Sequence, residues 1–108
     1  MARQYRQGDV FLVKTTIPGT AVGVKAAGRI VLAAGEVTGH AHAIVLDRLP
    51  IGAMASMLKD VEREFVRIEG GEVAVEHEEH ATVMLPPGEY EIVHQREYTP
   101  EEIRRVAD

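Results

Sequence analysis

Residues 65–95 read FVRIEGGEVAVEHEEHATVMLPPGEYEIVHQ, and their reading decides the fold class. Phe65-Val66-Arg67-Ile68 is aromatic and β-branched, the composition of a strand. Gly70-Gly71 follows as a hairpin signal. From Glu72 to His77 apolar and polar residues alternate with a period of two, so Val73, Val75 and His77 share one face. Ala81 to Leu85 is again strand-like, Pro86-Pro87-Gly88 is a turn, and Glu89 to Gln95 is a last strand. Short strands punctuated by Gly and Pro imply an all-β barrel or sandwich of antiparallel strands.

The same grammar runs upstream. Gly8-Asp9 reads as a turn and Val10-Phe11-Leu12-Val13 as a strand apolar on both faces. Ile17-Pro18-Gly19-Thr20 is a turn, and residues 19–28 read as a loop with room for one short strand. Arg29 to Leu32 and His40 to Leu46 are further strands, with a turn or bulge at residues 35–39. Residues 51–60 hold Ala, Met, Leu and Lys, good helix formers weakened by Gly52, and read as a helical turn or an irregular connection. At the C-terminus Thr99 is an N-cap, Pro100 stands at the first helical position and Glu102 at the third. The expected organisation is one β domain over residues 1–98. A two-turn helix over 99–108 would dock on that domain or on a partner subunit.

Composition sets the limits on function. The chain has 108 residues, 45% hydrophobic and 27% charged, an ordinary globular mixture for one domain. It has no cysteine, which excludes disulfides, thiolate zinc sites, iron–sulfur clusters and cysteine nucleophiles. The net charge of −5 argues against non-specific nucleic-acid binding, which needs a basic surface. No stretch approaches the roughly 18 apolar residues of a membrane span, and no apolar run follows the first arginines. A cytoplasmic protein is the expectation. Ser56 is the sole serine and sits in an apolar stretch, a poor setting for a nucleophile.

Five histidines are the unusual feature of this composition. His40 and His42 share strand parity with Ile44 and Leu46, and His94 shares it with Tyr90 and Ile92. His77 lies on the face of Val73 and Val75, with His80 in the turn beyond. Two histidines two apart on a strand stand about 6.5–7 Å apart on one face, close enough to be bridged by one ion. A divalent metal site built from His40, His42, His77, His80 and His94 is therefore expected, its metal left open among zinc, iron, manganese, nickel and copper. The plain alternative is a set of core and rim histidines without metal that protonate as pH falls. Glu76-His77-Glu78-Glu79-His80 is not a zinc-protease motif, which needs histidines at i, i+4 on a helix.

Two resemblances follow from these residues. Gly35, then His40-Ala41-His42 and Asp47, then Pro86-Pro87-Gly88 and His94 resemble the two motifs of the cupin superfamily. That resemblance implies a small β-barrel holding a metal, with small-molecule chemistry at the ion. Over most of its length the chain looks like small uncharacterised bacterial and phage-associated proteins. The shared segments are Gln7-Gly8-Asp9-Val10, Gly35 to His42, His77 to His80, Pro87 to Tyr90 and Gln95 to Glu102. That second resemblance implies no activity. The functional expectation is a metal-binding β domain that takes a small-molecule ligand. The other is a non-catalytic homo-oligomeric module assembled through its C-terminal helix and sheet edges.

Overall fold

The computed structural model describes residues 4–34 and 40–94. Ten strands follow one another: β1 (Gln4–Gln7), β2 (Val10–Lys14), β3 (Val22–Val24), β4 (Arg29–Ala34), β5 (Ala41–Val45), β6 (Met54–Asp60), β7 (Arg63–Glu69), β8 (Val73–Val75), β9 (Val83–Leu85) and β10 (Gly88–His94). A 3-10 turn, Leu46–Arg48, follows β5. No α-helix occurs among the described residues, and none of their segments is a helix long and apolar enough to cross a membrane. The helix expected over 99–108 lies outside the described residues.

Six strands form one antiparallel sheet in the order β1-β2-β10-β7-β6-β3. The remaining four pair as β4–β5 and β8–β9. Ala43 and Glu76 exchange both backbone hydrogen bonds, at 2.9 and 2.8 Å, and so join these two ladders. The larger core cluster lies between the layers. Val10, Leu12, Val66, Ile68, Tyr90 and Ile92 come from the large sheet, and Ile30, Leu32, Ile44, Val73, Val75 and Leu85 from the ladders. Each set keeps strand parity, so the alternation in sequence places the core directly. The Tyr90 hydroxyl, deep in this core, donates to the Pro86 carbonyl at 2.7 Å, and burial pushes its pKa up to about 12.

The fold is all-β, as the turn spacing implies, but it is not a closed barrel. β1 and β3 are sheet edges, each with one neighbour. Two local readings also change. Residues 54–60 are a strand, because the adjacent β7 offers a seven-residue antiparallel ladder and this tertiary pairing overrides helix propensity. Gly70-Gly71 is not a hairpin turn: β7 pairs with β6 and β10, whereas β8 pairs with β9. The glycines carry the chain from one layer to the other. Gly70 has φ +77°, and a Cβ there would stand 2.0 Å from the Gly52 carbonyl oxygen, so the crossing needs glycine.

The opposite face of β7 is covered as well. Phe65 packs with Ile17 and Leu58 in a second small cluster. Glu89 fastens the segment over it, accepting from the Ile17 backbone N–H and from Arg67 Nε, each at 3.0 Å. Those bonds hold the Glu89 carboxyl below the usual glutamate range, the backbone bond being the larger cause.

Candidate metal centre

Three pieces of chain, distant in sequence, converge where the two layers meet. His40 and His42 enter on β5 and the residue before it. His77 to His80 form the loop between β8 and β9. Gln7, Gly8 and Asp9 form the end of β1 and its turn into β2.

Gln7 holds them together. It is one of only two buried polar residues among those described, the other being His42. Its amide Nε2 donates to the Val75 carbonyl at 2.8 Å and to the Ala81 carbonyl at 2.9 Å. These carbonyls flank the histidine loop, so one side chain clamps the loop at its stem. Two carbonyl acceptors fix the amide orientation, because only the nitrogen has protons to give. The Gln7 oxygen therefore faces His42 Nδ1 at 2.8 Å and can only accept. It follows that Nδ1 carries a proton, and in the neutral ring Nε2 carries the lone pair.

His42 Nε2 looks toward an electron-rich neighbourhood. Asp9 Oδ1 stands 3.7 Å from it. The His77 ring lies 4.3 Å from the His42 ring, and the His80 ring 5.6 Å from it at 19°. His77 and His80 are themselves 4.6 Å apart, centroid to centroid. One nitrogen from each of His42, His77 and His80 can be chosen so that all lie within 4.8 Å of one another. Nitrogens bound to one zinc ion at about 2.1 Å are at most about 4.2 Å apart, so little ring movement brings them onto an ion. His42 is buried, His77 half-buried and His80 exposed, which leaves the set open to solvent on one side.

Gly8 makes room for the exposed ring. Its φ is +61°, and a Cβ there would stand 2.8 Å from His80 Nε2. The turn thus contributes a clamp, a gap and a carboxylate in three consecutive residues. In the sequence Gln7, Gly8 and Asp9 stand out only as a turn and as part of the resemblance to uncharacterised small proteins, with no role at the site. The available signal was that Gln7 shares parity with Tyr5, which packs against the core.

A second donor set adjoins the first: His40, His77 and Glu78, again within 4.8 Å. His40 lies against His77 edge to face at 5.8 Å, with its Nδ1 3.4 Å from Glu79 Oε1. Glu78 accepts from the Ala41 backbone N–H at 3.0 Å. That bond, with the Glu78 backbone and the nearby His40 and His77, holds the Glu78 carboxyl below the usual range. His77 belongs to both sets. At present its Nδ1 accepts from the Glu79 N–H at 2.9 Å, so the neutral ring carries its proton on Nε2.

Four of the five expected ligands, His40, His42, His77 and His80, are thereby brought together. His94 stands outside both sets. Its Nε2 donates to the Leu32 carbonyl at 2.8 Å. Leu32 is the residue skipped where the β4–β5 register shifts, so His94 satisfies the bulge. Asp47 lies in the 3-10 turn, also outside both sets.

Residues 6–95 match the family described as a domain of unknown function, DUF8820. The chain belongs to this family. The matched span contains all five histidines together with Gln7, Gly8 and Asp9. Membership agrees with the resemblance to an uncharacterised small-protein family, and it carries neither a phage association nor a cupin kinship. No curated protein and no solved structure matches the chain.

Proposed function

We propose that this DUF8820 domain binds one divalent transition-metal ion through His42, His77 and His80, with Asp9 as the adjacent carboxylate. The observation that carries the reading is the His42 tautomer. A buried imidazole whose Nδ1–H is held by an amide oxygen, with Nε2 turned to other donors, has the arrangement typical of a metal-ligating histidine. A lone pair opposite a carboxylate oxygen at 3.7 Å also favours a cation between them. Imidazole donors suit zinc, copper, nickel and iron.

Three protein ligands leave a coordination position for water or a ligand, the pattern of reactive rather than purely structural sites. A bound ion would supply Lewis acidity and a water of lowered pKa. Around it, Gln7 fixes the His42 ring, Gly8 admits His80 and Asp9 supplies negative charge.

Elemental analysis of the untagged chain after zinc loading and gel filtration tests the reading. The expected content is near one ion per chain, falling at least tenfold in His80→Ala. That residue is exposed, so the fold survives its loss. Metal content well below stoichiometric, or equal in wild type and His80→Ala, would refute it.

A further inference from the structure

Beside the histidines, on the outward face of β5, lies a pocket of about 230 Å³ that the metal reading does not use. Its floor is small and apolar, built from alternate β5 residues including Ala43 and Val45. Arg29, Arg48, Glu76, His77 and Glu78 complete its lining. The volume falls below the roughly 300–1,000 Å³ of drug-sized ligand sites, so the occupant is a small molecule.

Hydrogen bonding decides the charge the pocket presents. Arg48 donates to Glu76 at 2.8 Å, a closed pair within the wall. Glu78 is held by the Ala41 N–H. The Arg29 guanidinium has no hydrogen bond or ion pair among the described residues. Arg29 faces Val45 in the β4–β5 ladder, so it projects beside the apolar floor. The pocket therefore offers one available planar cation and an apolar floor, with the carboxylates of Glu76 and Glu78 also in its lining.

We infer that the pocket binds a small monocarboxylic acid with a short apolar body, its carboxylate paired with Arg29 and its chain on Ala43 and Val45. A guanidinium matches a carboxylate in shape and charge, and two parallel hydrogen bonds give the pair direction. Glu76 and Glu78 in the lining select against a second carboxylate on the ligand. The carboxylate site itself is independent of the ion. His77 lines the same pocket, and only the consequence that the ligand lies beside the metal rests on the function proposed above.

Titration of the full-length chain with butyrate, followed by amide NMR shifts, tests this. Succinate and butyramide serve as comparison ligands, and Arg29→Gln and His80→Ala as comparison proteins. Butyrate at tens of millimolar is expected to shift the Arg29, Ala43 and Val45 signals of wild type. Succinate and butyramide should bind at least about tenfold more weakly, as should butyrate to Arg29→Gln. His80→Ala should keep butyrate binding while losing metal. Absence of these shifts in wild type, or equal butyrate affinity in folded Arg29→Gln, overturns the pocket. A zinc content unchanged by His80→Ala overturns the metal reading alone and leaves the butyrate result standing.

Discussion

Gln7 Oε1 accepts a 2.8 Å hydrogen bond from His42 Nδ1, and the same amide clamps the histidine loop through Val75 and Ala81. One buried side chain thus sets both the tautomer of the innermost histidine and the position of the loop carrying two others. Strand pairing alone does not do this, because the β8–β9 ladder ends at Val75↔Val83 and leaves residues 76–82 outside it.

Gln7→Leu should therefore damage stability and metal binding together. It strands the His42 Nδ1–H and removes a donor from two carbonyls, and each unsatisfied buried group costs about 1–3 kcal/mol. A loss of about 2–4 kcal/mol in urea unfolding is expected on that basis. Zinc affinity should fall about 10–100-fold, the usual cost of losing a residue that orients a ligand. Calorimetry of the folded variant reads the second effect. Unchanged zinc affinity would mean that Gln7 is only a fold clamp.

Gly8→Ala separates the turn from the clamp. At φ +61° an alanine is strained by about 1–2 kcal/mol. Its Cβ would also displace the His80 ring, the nearest atom being 2.8 Å away. That ring is exposed and can swing out, so the core should stay intact while zinc affinity falls. Near-native amide spectra for the core, with weakened zinc binding, are the expected pair of results.

Much of the fold was readable in the chain, and the failures share a cause. The alternation in β8 and β10 placed Val73, Val75, Tyr90 and Ile92 inward without knowledge of their partners, because parity is a local property. Residues 54–60 and Gly70-Gly71 were misread because their outcome depends on which strand lies alongside. The site divides in the same way. His42 was legible from its parity with Ile44. Gln7 was not, since its bonds span 68 and 74 residues and nothing near it in sequence calls for them.

Val61 offers a stabilising change remote from the site. Asp60 pairs with Arg63, so Val61 and Glu62 form a two-residue hairpin loop. Val61 has φ +56°, the one non-glycine residue with positive φ among those described. Positive φ at the first loop position alone is the pattern of a type II′ turn, which favours glycine there. The residue is 86% exposed and contributes little to packing. Val61→Gly should raise stability by about 1 kcal/mol in chemical denaturation, as relief of left-handed strain outweighs the added backbone freedom. Destabilisation would show that the strain is already relaxed.

Glu89 makes stability depend on acid in a defined direction. Its carboxyl is held below the usual glutamate range by the Ile17 N–H and Arg67. The folded state therefore releases this proton more readily than the unfolded chain. The stabilisation is full above the unfolded pKa and is lost as pH falls through the lower folded pKa. Glu89→Gln should lower Tm at pH 7 and weaken the dependence of Tm on pH in the acid range where carboxylates titrate. Parallel Tm curves for variant and wild type across that acid range would exclude Glu89 as a source of the dependence.

Metal loading should leave a mark on one amide. His77 Nδ1 is engaged by the Glu79 N–H at 2.9 Å. An ion bound through Nδ1 displaces that donor. An ion bound through Nε2 requires the ring proton to move to Nδ1, where it opposes the same N–H. Either route breaks the bond. Zinc addition should accordingly move the Glu79 amide resonance and speed its hydrogen exchange, while the amides of β2 and β10 stay in place. If the Glu79 amide holds its shift as the His42 and His80 ring signals move, the ion sits on those two rings without His77.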